Sequence, residues 1–106
     1  MNETEFLALA GQALQRIEHA LEASGVDADC ELKEGGVLEL EFADGSKIIV
    51  NRHGVAREIW VAARAGGFHF AWDGASWRDR RGGSELFATL SRLVSAQSGT
   101  AVILAG

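Results

Sequence analysis

The apolar residues of this chain change their spacing twice along its length. Near the amino terminus they recur every three or four positions, in the middle they alternate with polar residues, and near the carboxyl terminus the first spacing returns. The first spacing is that of an amphipathic helix, and the second is that of a half-buried strand. The order helix, strands, helix predicts an α+β fold.

The first helix is predicted from Glu3 to Ser24. Asn2 followed by Glu5 has the spacing of a capping box, and Gly25 marks the end of the helix. A second helix is predicted to begin near Ser84 and to end before Gly99. The short apolar tail from Ala101 to Leu104 is expected to pack along the helices or the edge of the sheet.

Short segments of alternating residues separate the helices. The predicted strands lie around Cys30 and Leu32, at Leu38 to Phe42, Lys47 to Asn51, Glu58 to Ala63, Gly67 to Trp72 and Ser76 to Asp79. Asp44-Gly45 is a hairpin signal, and connections this short require antiparallel neighbours. Since two helices with one apolar stripe each can cover one face, we predict a two-layer α-β sandwich with about six antiparallel strands. The other face is left in water.

Size and composition restrict the class of protein. With 106 residues, of which 47% are hydrophobic, the chain is expected to form one domain over residues 1–106. A net charge of −5 argues against a nucleic-acid partner. The amino terminus does not have the pattern of a signal peptide, and no segment approaches the roughly 18 apolar residues of a membrane span. We expect a cytoplasmic protein that binds neither nucleic acid nor membrane.

Catalytic signatures were sought among the common motifs. The chain has no Gly-x-Ser-x-Gly, no phosphate-binding loop and no His-Glu-x-x-His, so no catalytic residue is predicted. The single cysteine, Cys30, excludes an internal disulfide and a thiolate metal site. We interpret it as a small core residue, with a functional thiol as the alternative.

Charge is segregated along the chain. Residues 1–44 contain eleven acids and two bases, whereas residues 45–106 contain four acids and eight bases. Segregation of this kind indicates a cationic ligand or a basic partner. The acids expected to share one edge of the fold are Glu3, Glu18, Glu22, Asp27, Asp29 and Glu31, with His19 beside them. Carboxylates suit divalent or ferric ions, which exposed groups would bind weakly. The alternative is a solvated acidic face, with His19 an ordinary surface residue.

Strand alternation predicts a second candidate surface. If Ile59 and Val61 point toward the helices, Trp60 points to the open face. An aromatic side chain ringed by polar groups is the usual composition of a binding hot spot, and Asn51 and His69 supply those groups. In the alternative interpretation, Trp60 merely covers neighbouring strand atoms.

Several segments resemble one known family, the bacterial frataxins or CyaY family. They are MNETEF at residues 1–6, GGVLELEF at Gly35 to Phe42, DGSKIIVNR at Asp44 to Arg52, EIW at Glu58 to Trp60 and GGFHF at Gly66 to Phe70. The resemblance covers nearly the whole chain. It implies an α-β sandwich with two helices on one sheet face, which agrees with the predicted order of elements.

For function, the resemblance implies an iron-binding accessory protein of iron–sulfur cluster assembly, without enzymatic activity of its own. Such a protein binds ferrous or ferric iron weakly, and other divalent cations substitute for it. It docks on the cysteine desulfurase and the scaffold protein and modulates sulfur transfer. By position, the metal-binding ridge corresponds to Glu3, Glu18, Glu22, Asp27, Asp29 and Glu31, and the partner-binding patch to Asn51, Trp60 and His69. His19 stands where relatives often have an acid, and is a further candidate ligand.

Three hypotheses for function remain open from the sequence. The first is an iron-dependent regulator of the desulfurase, expected to be a monomer. The second is an iron storage or chaperone protein that self-associates with metal. The third is a protein-interaction module in which Trp60 supplies the affinity and metal is incidental.

Overall fold

The computed structural model describes residues 1–105, in which helices and strands follow one another in the predicted order. The elements are α1 (Glu3–Ser24), β1 (Ala28–Lys33), β2 (Val37–Phe42), β3 (Lys47–His53), β4 (Glu58–Ala63), β5 (Gly66–Trp72), β6 (Trp77–Asp79) and α2 (Leu86–Ser98). The strands form a six-stranded antiparallel sheet in sequence order. Both helices bury their apolar sides against one face of it. The predicted two-layer α+β fold is confirmed.

Local interactions explain why α1 has the predicted limits. The side-chain oxygen of Asn2 accepts the backbone N–H of Glu5 at 2.8 Å, and the Glu5 carboxylate accepts the N–H of Asn2 at 3.5 Å. At the other end Gly25 has φ 71°, a left-handed conformation that glycine adopts without steric cost. Its N–H donates to the carbonyl of Glu22.

The helix α2 begins at Leu86, later than the predicted start near Ser84. The cap is Glu85, whose carboxylate accepts backbone N–H groups of the first turn at 2.9 and 3.1 Å. Ser84 lies outside the helix, and its carbonyl accepts the N–H of Asp79 at 2.8 Å, at the end of β6. Pairing with the sheet therefore delays the helix. Within residues 1–105, neither helix combines the length and the apolar character needed to cross a membrane.

The carboxyl-terminal tail packs along α2, one of the two predicted positions. The hydroxyl of Ser91 accepts the N–H of Leu104 at 2.8 Å, and the hydroxyl of Ser95 accepts that of Val102 at 2.9 Å. Val102 and Leu104 are buried, whereas Ile103 between them is 88% exposed. The tail thus adds a short extended segment to the core.

Alternation along the central strands places one set of side chains in the core. Ile59, Val61 and Phe70 face the helices and are buried. Trp60 and His69, which alternate with them, face the open side. The predicted orientation of these strands is confirmed.

The edge strand β1 places Cys30 at the periphery of the core. Its side chain is half-buried and lines a pocket of about 140 Å³ between β1 and the end of α1. Leu32 on the same strand is 44% exposed. Because β1 has a neighbouring strand on one side only, its inward residues receive less cover than those of β2 or β3. Cys30 packs against the buried core while remaining half-buried itself, so its interpretation as a small core residue holds at the periphery of the core.

Candidate functional site

Acidic side chains of α1 and β1 meet at one edge of the sheet, on its two faces. Glu18 and Glu22 lie in the helix layer near Cys30. Burial, and after it the negative charges of Glu18 and Glu22, raises the pKa of Cys30 to about 11. Asp29 and Glu31 alternate with Cys30 along β1 and therefore point to the open face. The strand itself separates the two groups of carboxylates.

Strand register adds acids that the sequence analysis did not select. Asp29 lies directly opposite Glu41, and Glu31 directly opposite Glu39. Like charges in this arrangement destabilise a sheet. We call the following five residues the acidic edge: Glu18, Glu22, Asp29, Glu31 and Glu41.

Lysines neutralise only part of this region. Lys33 and Lys47 approach Glu39 at 2.8 and 3.0 Å, and their hydrogen bonds lower the pKa of that carboxyl. Lys33 is also 3.9 Å from Glu31. Lys47 lies opposite Glu41 in the sheet but pairs with Glu39 instead. Among residues 1–105, the other four members of the acidic edge have no ion pair, so their negative field stays available to a cation or a basic partner.

Three predicted ligands lie outside the acidic edge. Glu3 is in the first turn of α1, about 22 Å from Glu18 along the axis at about 1.5 Å per residue. His19 lines a shallow pocket with the tail residue Ala105. Asp27 lines a depression beside the carboxyl-terminal end of α2. The predicted ligands therefore face several different parts of the surface.

The donor geometry bears directly on metal binding. In the part of the chain that the structure describes, no three His, Cys, Asp or Glu side chains are grouped so that they could hold a metal ion. Carboxylate oxygens suit hard cations, but a single one at about 4 Å attracts a divalent ion by only about 2 kcal/mol in water. These residues fit a hydrated, weakly held cation rather than a caged one.

The open face carries an ordered ring stack, which we call the Trp60 stack: His53, Trp60 and His69. The Trp60 indole lies between the two imidazoles, with centroid distances of 3.8 Å to His53 and 4.3 Å to His69. The ring planes differ by 12° and 10°. Trp60 pairs across strands with Asn51 on one side and His69 on the other. Both faces of the indole are therefore covered by residues of the same sheet.

Asn51, the third residue of the predicted patch, has a side-chain oxygen that is buried and has no hydrogen-bond partner within the described residues. Most buried acceptors in proteins are paired, and an unpaired one costs about 1–3 kcal/mol. The structure thus places Asn51, Trp60 and His69 together, as the sequence analysis predicts.

His53 is the member of the stack that sequence reasoning missed. It shares strand parity with Asn51, and β3 continues to His53 although the predicted strand ends at Asn51. Extending the alternation by one more pair would have placed His53 on the open face. Its contact with Trp60, by contrast, follows from the register of β3 and β4.

Comparison with known proteins identifies the family. The model of the frataxin-like domain matches residues 1–100 of the chain. The chain belongs to the frataxin-like family. The resemblance inferred from the sequence motifs is therefore confirmed.

Frataxin-like relatives match over almost their full length. A protein of Dechloromonas aromatica, named iron–sulfur cluster assembly protein CyaY, is 66% identical over 98% of this chain and 99% of its own length. One of Chromobacterium violaceum with the same name is 48% identical, and the match covers 100% of each chain.

Solved frataxin structures share the fold. Frataxin of Psychromonas ingrahamii is 36% identical, covers 100% of both chains and superposes with a TM-score of 0.91. Trimeric yeast frataxin from Saccharomyces cerevisiae, complexed with ferrous iron, is 24% identical with a TM-score of 0.67, covering 94% of this chain and 88% of its own. At that identity the yeast structure supports the fold alone.

Proposed function

We propose that this protein acts in iron–sulfur cluster assembly as a cytoplasmic accessory protein that binds iron and partner proteins and catalyses no reaction itself. One observation carries the assignment to this process. A chain 66% identical over 98% of this one is named an iron–sulfur cluster assembly protein. The two surfaces described above support a role in binding.

Iron is the proposed cargo or signal at the acidic edge. Glu18, Glu22, Asp29 and Glu31 are the strongest of the predicted ligands, because they lie at one edge and three of them have no ion pair with any of residues 1–105. Glu3, His19 and Asp27 remain candidate ligands on other parts of the surface. Since the residues that the structure describes form no cage, iron would bind weakly, and other divalent cations would compete with it.

The proposed partners are a cysteine desulfurase and the scaffold protein. A basic surface of the desulfurase would meet the acidic edge, and iron bound there would change the charge available for docking. Asp29, Glu31 and Glu41 share the open face with Trp60. A single partner lying across the sheet can therefore contact both these three acids and the Trp60 stack.

Asn51 supports a docking role for the open face. Its buried oxygen has no hydrogen-bond donor among residues 1–105. A partner that offers an N–H or O–H after a small shift of Trp60 would satisfy it. A hydrogen bond from the partner would remove the desolvation penalty of this buried acceptor, and would therefore add to the affinity of the complex.

A second candidate function is a metal-independent adaptor that modulates the desulfurase through the Trp60 stack alone. The lack of any grouped metal donors within residues 1–105 favours it. It differs from the first proposal in two respects: the partner would not contact the acidic edge, and ferrous iron would not change the affinity for the partner.

Nuclear magnetic resonance titration separates these proposals. Ferrous iron, added without oxygen, is expected to perturb amides around Glu18, Glu22 and Asp29, and the desulfurase is expected to perturb these and the strands around Trp60. As a control, Glu34→Lys changes an exposed acid in the turn after β1, and should leave both footprints intact. Iron perturbations confined to other residues would refute the proposed site. Desulfurase perturbations that avoid both surfaces would refute the docking proposal.

A further inference from the structure

Glu58 is a carboxylate on the open face of the sheet, yet it is almost completely buried. Strand alternation points it outward together with Trp60, but it is only 6% exposed. Buried carboxylates are rare unless a charged partner and hydrogen bonds compensate for their lost hydration. The contacts of Glu58 therefore indicate its role.

Each oxygen of the Glu58 carboxylate has a donor of its own. Oε1 accepts the indole N–H of Trp60 at 2.8 Å. Oε2 lies 3.1 Å from Nη1 of Arg80. Nδ1 of His69 is 3.9 Å from Oε1, which is too long for a hydrogen bond. Glu58 thus joins the indole to a guanidinium.

Arg80 is brought to this place by the backbone. Its N–H donates to the carbonyl of His69 at 3.0 Å, just beyond the end of β6. The side chain of Arg80 is 64% exposed, whereas that of Glu58 is 8% exposed. Glu58 is therefore shielded from a docking partner and can affect binding only through its neighbours.

We propose that Glu58 is a positioning residue for partner binding, with Arg80 as its counter-ion, and that it holds the Trp60 indole in one orientation before a partner arrives. Stacking between His53 and His69 fixes the plane of the indole, but a half-turn flip about χ2 leaves that plane unchanged. The hydrogen bond to Glu58 selects the flip state in which Nε1 lies beside Oε1 of Glu58. An anchor that is already ordered loses less entropy on binding. The inference rests on the proposed function, in which Trp60 is an anchor.

The first test measures the order of the indole in the free protein. In Glu58→Ala, ¹⁵N relaxation of the Trp60 Nε1–H group should show increased mobility, because the acceptor is lost. Glu58→Gln keeps an acceptor oxygen and should restore most of the order. Glu34→Ala, at an exposed turn, is the matched control and should behave as the wild type. Unchanged mobility in Glu58→Ala would overturn the proposal.

The second test measures affinity for the cysteine desulfurase. Glu58→Ala should weaken binding roughly tenfold, since an indole that is no longer ordered in the free protein must lose that freedom on binding, and Glu58→Gln should fall between it and the wild type. In a Trp60→Phe background, which has no indole N–H, Glu58→Ala should weaken binding by less than about twofold. A tenfold loss that persists in that background would show that Glu58 does not act through the indole.

The proposal and the function on which it rests fail in different ways. If Trp60→Ala binds the desulfurase as tightly as the wild type, the docking role of the open face is refuted, and the role of Glu58 in binding is refuted with it. If Trp60→Ala abolishes binding while Glu58→Ala changes neither indole order nor affinity, only the positioning role is refuted. Arg80→Gln provides a second variant at an exposed position and should weaken binding in the same direction as Glu58→Ala.

Discussion

The acidic edge and the Trp60 stack are organised in opposite ways. The acidic edge is spread over both faces of β1, and four of its five members have no ion pair among residues 1–105. The Trp60 stack is compact, with rings 3.8 and 4.3 Å apart and its indole N–H hydrogen-bonded. Dispersed charge acts over a distance, whereas an ordered aromatic acts in contact. On the proposed function, the acidic edge would attract partners and ions, and the Trp60 stack would retain a partner.

The largest expected effect comes from removing the anchor. Trp60→Ala should weaken binding of the desulfurase or the scaffold protein roughly 30- to 700-fold, because truncating an aromatic hot spot typically costs about 2–4 kcal/mol. Surface plasmon resonance measures it. Ile103→Ala truncates another exposed apolar side chain, far from β4 in sequence, and should change the affinity little. Equal affinities of wild type and Trp60→Ala would show that another surface holds the partner.

Reversing charge at the acidic edge should act on the association rate. Glu18→Lys with Glu22→Lys is expected to slow association with the desulfurase roughly tenfold at low ionic strength. The difference should nearly disappear at about 1 M salt, where the screening length is only about 3 Å. Stopped-flow association at several salt concentrations measures both effects, and Glu34→Lys is the single-charge control. An effect that is independent of salt would contradict a role in steering.

The Cys30 thiol reports the field of the acidic edge. Its pKa is raised from 9.0 to about 11, first by burial and then by Glu18 and Glu22. In Glu18→Gln with Glu22→Gln, the midpoint of iodoacetamide alkylation against pH should fall but remain above 9.0. An unchanged midpoint would mean that these carboxylates lie too far from Cys30 to share a field with β1.

The same pKa predicts a weak alkaline loss of stability. The folded protein resists ionisation of Cys30 more than the unfolded chain does, so the thiol contributes stability that is complete below about pH 9. This contribution should be lost as the pH rises through about 11. Cys30→Ser, compared with wild type by urea unfolding at pH 8 and pH 11, isolates the contribution.

The smallest effect concerns stability at the edge of the sheet. Asp29→Lys replaces an acid directly opposite Glu41 by a base. The free energy of unfolding should rise by roughly 0.2–1 kcal/mol, since an opposed like-charge pair becomes an attractive one. Urea unfolding at low salt measures the change, with Glu34→Lys as the control for net charge. A decrease in stability would show that Asp29 and Glu41 do not repel each other.

Features set by neighbours in sequence were predictable. Asn2 and Glu5 cap α1 through bonds that span three residues, and Gly25 ends the helix by its own conformation. Alternation in β4 oriented Trp60 without knowledge of its partners. Periodicity and capping depend on local geometry, which is why they appear in the sequence.

Features set by strand register were not predictable. Nothing in the sequence places Glu41 opposite Asp29, because the turn between β1 and β2 allows several registers. The burial of Glu58 depends on Trp60 and on Arg80, which comes from beyond β6. The late start of α2 depends likewise on pairing of Ser84 with Asp79. The first two require contacts between separate segments of the chain, and the third requires a hydrogen bond across the turn that follows β6.

The central claim is that the acidic edge governs association and the Trp60 stack governs dissociation. It is tested most directly by the rates of binding to the cysteine desulfurase over a range of salt concentrations. For the wild type, the association rate should fall as salt increases, while the dissociation rate should change little. Trp60→Ala should raise the dissociation rate strongly and leave the salt dependence of association intact. If salt instead acts mainly on dissociation, or if Trp60→Ala removes the salt dependence of association, attraction and retention do not reside in separate surfaces.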